Sequence, residues 1–195
     1  AKGKYYTLFL LMLAGMNGVV LTGDLFNLFV FLEIAAIASY ALVAFGTEAE
    51  ELEASFKYLV MGSVASTLIL FGVGIIYALT GTLNMADAAR LLSQVSSAVK
   101  MFVAALFIMG FGMKSAIVPF HAWLPDAHPS APAPISAMLS GVLIKALGVY
   151  ALIRILFNVI GITPQLSYIL MILGVLSMLV GVLLAIGQWD FKRLL

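Results

Sequence analysis

The sequence predicts an all-α membrane protein with six transmembrane helices, one of them interrupted at Pro119. Three observations lead there. Of the 195 residues, 64% are hydrophobic and 10% charged, with a mean hydropathy of +1.15, whereas a soluble domain carries about 25% charged residues. Six apolar runs lie near 5–22, 25–45, 57–80, 100–119, 134–157 and 166–188, and each approaches or exceeds the roughly 20 residues a helix needs to cross the hydrocarbon core. None alternates strictly between apolar and polar positions, and most are too long for barrel strands, so the backbone must satisfy itself within helices.

The elements follow in order. Lys2 and Lys4 precede the first run as they would in a signal peptide, but no small-residue cleavage site follows and the run leads into Gly23 and Asp24, so it is a span. Asp24 is the expected N-cap of the second run, beside the positive end of its dipole. Lys57 opens the third and reaches the interface, from which it is also a candidate to feed an ion path. The connection 81–99, with Asp87 and Arg90 among apolar residues at helical spacing, predicts a short amphipathic surface helix. The fourth run meets Pro119, which lacks an N–H and clashes with the carbonyl one turn back, so the helix should break just beyond Lys114 and leave a hydrated pivot. Asp126 and His128 read as turn and surface residues. Arg154 in the fifth run should snorkel to the opposite face. Gly141 and Gly148 on the fifth run, and Gly174, Gly181 and Gly187 on the sixth, read as close-packing sites. Trp123 and Trp189 fall near span ends, where indoles favour headgroups.

Charge sets the orientation. Lys2, Lys4, Lys57, Lys192 and Arg193 fall on one side and Arg90, Lys100 and Arg154 on the other, which favours a cytoplasmic amino terminus. The chain begins at Ala1 without methionine and ends in QWDFKRLL, a charged turn leading into leucines, so it reads as a piece of a longer subunit.

Composition also excludes. The formal charge of +1 points to no nucleic-acid partner, and the absence of cysteine removes disulfides, iron–sulfur clusters and thiolate metal sites. His121 and His128 are the remaining soft ligands and share one proline-rich stretch, FGMKSAIVPFHAWLPDAHPSAPAP. No metal and no cofactor is therefore expected, and any oxidoreductase activity would belong to partner subunits.

The chemistry expected of the chain lies in ionisable residues at membrane depth. Glu33, Lys114 and Lys145 fall in the middle third of their runs, where a charge costs about 2.5–3.5 kcal/mol and usually faces a bundle interior or water. A structural ion pair of Glu33 with one lysine is the plain alternative, but it leaves the second lysine without a partner. His121, two helical turns beyond Lys114, is a candidate proton relay because an imidazole titrates near pH 6.5.

The segments DLFNLFVFLEIAAIASYALVAFG (24–46), FKYLVMGSVAS (56–66), KSAIVPFHAWLPDAHPSAPAPISAMLSGVLIKALGVYALIRI (114–155) and QWDFKRLL (188–195) resemble the antiporter-like subunits. That family is shared by respiratory complex I, the Mrp sodium/proton antiporters and the membrane-bound hydrogenases. The spelling is nearest to the Mrp D-type and hydrogenase members. The resemblance implies two inverted five-helix repeats, each holding half an ion path. Residues 1–157 would be the whole first repeat and 158–195 the truncated start of the second. It also implies roles: Glu33 matches the family's mid-membrane glutamate, Lys114 the lysine beside the break, and Lys145 the connecting lysine. His121 and Lys57 match positions with weaker claims. The expected function is proton or sodium translocation by a Glu33/Lys114/Lys145 relay within a multisubunit, redox-driven complex in a prokaryotic cell membrane. The partners would be other membrane subunits, lipid and the transported ion. A structural scaffold subunit and a stand-alone cation/proton antiporter are the alternatives.

Overall fold

The computed structural model describes residues 2–190 and 192. Arg193, part of the charge bias, and the last leucines lie outside the described residues. Six helices are long and apolar enough to cross a membrane. They are α1 (Lys2–Leu21), α2 (Leu25–Val43), α3 (Ala49–Thr80), α5 (Ser97–Lys114), α7 (Ala133–Ile160) and α8 (Pro164–Ile186). Two short helices complete the described chain: α4 (Met85–Leu92) between α3 and α5, and α6 (Leu124–Ser130) between α5 and α7.

Helix ends follow local chemistry. The Asp24 carboxylate accepts from the amides of Phe26 and Asn27 at the start of α2, the N-cap expected of it. Helix α3 begins at Ala49 rather than 57, because Glu48 and Glu51 form a capping box and Glu50 and Glu51 complement the helix dipole. It stops at Gly81, which adopts the left-handed conformation that a side chain resists. Helix α4 is the predicted amphipathic segment: Met85, Ala88 and Leu92 are buried, while Asp87 and Arg90 pair on its outer face at 3.1 Å. Two backbone bonds, Leu25 N to Leu83 O (2.8 Å) and Met85 N to Gly23 O (2.9 Å), tie the α1–α2 turn to the loop before α4.

Helices α1, α2, α3 and α5 pack where small residues let backbones approach. A Cβ at Gly15 would meet Ala35 and the Phe31 carbonyl on α2, and one at Gly110 would meet Ile69 and the Ala65 carbonyl on α3. Gly148 of α7 lies against Ser115 in the same way. The other glycines read as packing sites behave differently: Gly141, Gly174 and Gly181 have open space where a Cβ would go, and Gly187 has only a distant neighbour. Arg154 reaches the end of another helix. Its guanidinium donates to the carbonyls of Val19 and Val20, capping the carbonyl end of α1.

The interruption begins earlier than the proline. Helix α5 ends at Lys114, residues 115–123 form turns, and α6 resumes at Leu124. Pro119 cannot sit one turn beyond a helical Ser115 without a clash, so the last helical residue precedes Ser115. Trp123 is packed inside the chain. It is 2% exposed, stacks on Tyr58 with ring centroids 4.1 Å apart, and donates from Nε1 to the Met113 carbonyl at 2.9 Å. His128 is likewise buried, its Nδ1 2.9 Å from the Ser136 hydroxyl at the start of α7.

Helix α7 is not uniformly α-helical. Leu139–Tyr150 and Leu156–Ile160 are π-helical, a geometry with i→i+5 hydrogen bonding that is rare at this length. Helix α8 is the outlier in packing, with Leu166 buried and the rest of its length partly or fully exposed. Two polar contacts tie its end of the chain to the interrupted segment. Ser177 Oγ accepts from the Val118 amide at 3.0 Å, and Lys192 Nζ donates to the carbonyls of Pro129 (3.2 Å) and Ala131 (2.9 Å).

Candidate functional site

The interior of the four-helix core holds a charged pair. Lys114, the last residue of α5, donates from Nζ to Glu33 Oε1 on α2 at 3.3 Å, with side-chain exposures of 3% and 27%. Burial removes competing water, so the pair interacts more strongly than a surface bridge but depends on every polar atom finding a partner. The partners come from two helices. Ser66 of α3 is within hydrogen-bond reach of Glu33 Oε1 and of the Gly62 carbonyl. Tyr40 of α2 accepts a second Lys114 N–H at 3.3 Å, and its ring centroid lies 5.9 Å from the ammonium, close enough for a cation–π contact.

Sequence periodicity explains how these residues meet. Glu33 and Tyr40 are separated by two turns of α2 and share a face; Tyr58, Gly62 and Ser66 recur every fourth residue along α3. Gly62 gives the Tyr40 hydroxyl its space, because a Cβ there would overlap the phenol oxygen. Behind Tyr40, Tyr58 packs edge-on with centroids 4.5 Å apart, and its hydroxyl lies 3.1 Å from that of Ser39. Tyr40, Ser66, Tyr58 and Ser39 do not stand out in the sequence. Their signal is spacing relative to Glu33 and to one another, which a search for charges alone passes over.

The remaining candidates lie apart from this pair. Lys145 is exposed on the surface of the chain, within the π-helical run of α7, and no hydrogen bond or ion pair joins it to another group among the described residues. It is nevertheless near the break, since Gly148 on the next turn abuts Ser115. Ser140 lies in the same π-helical run as Lys145. Ser140 lines an open cavity of about 560 Å³ with His128, Ser136 and Lys192. His121 follows Pro119 in the turn region and is partly buried, and its Nδ1 is enclosed without a hydrogen-bond partner among the described residues. Lys57 sits at the far end of α3 and is held by Glu53 (2.9 Å) and Asp126 (2.8 Å), both partly or largely exposed.

Fold and site together define a polytopic helical membrane protein built around a buried carboxylate–ammonium pair beside an interrupted span. The chain belongs to the NADH:quinone oxidoreductase/Mrp antiporter transmembrane family, whose model matches residues 22–195. It is 44% identical over 198 residues to NADH-quinone oxidoreductase subunit N of Desulforudis audaxviator, covering 100% of this chain and 39% of that protein. It is 42% identical over 196 residues to the D-type subunit of the Na(+)/H(+) antiporter of Alkalihalophilus pseudofirmus, covering 100% of this chain and 40% of that protein. Among solved structures it matches a chain of the membrane-bound sulfane sulfur reductase, an archaeal respiratory membrane complex, with a TM-score of 0.91 and 42% identity over 97% of this chain and 39% of that one. The chain thus spans about two fifths of the length of the relatives it matches.

Proposed function

We propose that this chain belongs to an antiporter-like subunit that moves protons or sodium ions across a prokaryotic membrane within a multisubunit, redox-driven complex, and that it holds part of the ion path. The observation that carries the reading is the Lys114–Glu33 pair, buried at the end of a helix that stops inside the bundle. An opposite charge nearby and burial act in opposite senses on a lysine, so weakening one contact changes whether it keeps its proton. In the proposed cycle a partner subunit's rearrangement loosens Lys114 from Glu33, the Lys114 proton passes toward Lys145, and re-pairing with Glu33 reloads it. Contact of the Lys145 helix with the break, through Gly148 against Ser115, is compatible with that direction. His121 with its unpaired Nδ1 is a candidate relay at the break, and Lys57 with Asp126 is assigned to the entrance on the amino-terminal side, taken as cytoplasmic. The weak packing of α8 supports the assignment of 1–157 to a first repeat and 158–195 to the next.

Glu33→Gln keeps size and polarity but removes the negative charge. Ion pumping measured in inverted vesicles, with assembly followed on native gels, should be abolished while the complex still forms. Normal pumping would remove Glu33 from the mechanism, and loss of assembly would favour the scaffold reading, in which the pair only fixes helix positions.

A further inference from the structure

The structure assigns Tyr40 as a positioning residue that keeps Lys114 hydrogen-bonded after its proton has left; the assignment rests on the translocation reading. Donors and acceptors decide the matter. An ammonium has three N–H donors and no acceptor, whereas a neutral amine also presents a lone pair that needs a donor when buried. Lys114 is almost wholly enclosed, with Glu33 Oε1 and the Tyr40 hydroxyl as its hydrogen-bond partners among the described residues. An ionised Glu33 can only accept. It can accept from either form of the lysine, but it offers nothing to the lone pair of the neutral one.

The Tyr40 hydroxyl can do both. In the paired state its oxygen accepts from Nζ at 3.3 Å, and among the described residues its own O–H donates to no other group. That proton is free to turn toward Nζ once the lysine is neutral. No heavy atom need move, because the aromatic C–O bond lets the hydroxyl hydrogen rotate in place. Proton count is conserved: the proton that leaves Lys114 goes to the next acceptor on the path, and Tyr40 keeps its own. The surroundings fix the oxygen where this requires it. Gly62 leaves space for it that any side chain would take, and the edge of Tyr58 holds the ring. The groups facing the Tyr40 hydroxyl from the packed elements are Glu33 on its own helix, Tyr58 on α3 and Lys114 on α5. The Tyr58 hydroxyl is engaged with Ser39 instead.

The test is Tyr40→Phe in the full-length subunit within its membrane complex, with Tyr58→Phe as a control and Glu33→Gln as a reference. Phenylalanine keeps the ring against Tyr58 and over the ammonium, so the complex should still assemble and lose at most a few degrees of melting temperature for the missing hydroxyl. Proton flux in inverted vesicles should fall about tenfold, the scale of one lost hydrogen bond to a buried polar group. The pH–flux curve should move from that of wild type, because Tyr40 partners both forms of the lysine and the neutral form has no other donor among the described residues. Tyr58→Phe should leave flux and curve unchanged. Wild-type flux and an unmoved curve in Tyr40→Phe, with Glu33→Gln silent, would overturn the assignment and leave the translocation reading standing. If Glu33→Gln also pumps normally, the reading itself falls. Failure of Tyr40→Phe to assemble would make the hydroxyl architectural and overturn the assignment as well.

Discussion

Lys114→Arg separates a lysine that hands on protons from one that only supplies charge. Arginine preserves the cation and can engage Glu33 through a bidentate fork. The geometry sets the structural cost. The lysine contacts Glu33 and Tyr40 at 3.3 Å each with 3% of its side chain exposed, so a larger guanidinium must push against Tyr40 and the Gly62 backbone. Overpacking of that kind costs about 1–3 kcal/mol, part of which the second hydrogen bond to Glu33 offsets. The effect on transport is of another order. A group with a pKa above 12 is neutral in fewer than about one molecule in 10⁵ at pH 7, so a step that requires release of its proton is stopped. The variant should assemble, lose a few degrees of thermal stability at most, and show flux at the background of the assay in inverted vesicles. Flux near wild type in a well-folded Lys114→Arg complex would refute proton transfer through this residue and leave the pair as architecture.

Two further outcomes follow from the surroundings of the pair. Trp123→Phe should retain the stack on Tyr58 but leave the part-buried Met113 carbonyl with the Ala116 amide as its remaining donor, a loss of about 1 kcal/mol; hydrogen exchange should accelerate across 115–124, and unchanged exchange there would show that the indole bond does not hold the break. Lys57→Gln removes two largely exposed ion pairs worth at most about 1 kcal/mol each, so the melting temperature should stay near wild type and flux should fall no more than a few-fold; loss of flux as complete as in Glu33→Gln would move Lys57 from the entrance to the relay.

How much of the molecule is legible in its sequence depends on which force sets each feature. The six spans are readable because hydrophobic length is a bulk property, and the break because Pro119 has a single steric meaning. The extra turns of α3 are hidden by that same hydropathy reasoning: Glu48–Glu53 look like a loop to a membrane scale, yet the Glu48/Glu51 capping box is a helix signal in its own right. The partners of Trp123 are hidden because an indole near a span end has a common interfacial use, and its carbonyl partner, Met113, is brought to it only when the chain folds back on itself. The pair of Glu33 with Lys114 follows from charge in apolar sequence, but Tyr40 and Ser66 need the faces of two helices to be read together. The outward position of Lys145 is out of reach, since π-helical turns between Leu139 and Tyr150 shift the phase of the helix relative to any 3.6-residue reading.

The juxtaposition of a lysine and a helix breaker has a physical logic that neither residue shows alone. Ending α5 at Lys114 places an ammonium at the carbonyl end of a helix, where the macrodipole is negative and favours a cation. A continuous helix would carry that end elsewhere and leave the charge to Glu33 and Tyr40. The same ending frees backbone groups in the bundle, and the chain satisfies them itself rather than with solvent. The Phe111 carbonyl accepts from the amide and hydroxyl of Ser115, Gly112 from Ile117, and Met113 from Ala116 and Trp123. The Val118 amide finds Ser177 on α8. Protein groups thus line the break, and a helix that is otherwise scarcely packed lies against one side of it. Any displacement of α8 strains the Val118–Ser177 bond, and residues 115–118 lead directly back to Lys114. A shift of α8 is thus coupled to the segment beside the buried pair through a hydrogen bond to the backbone, outside the well-packed core of α1, α2 and α3.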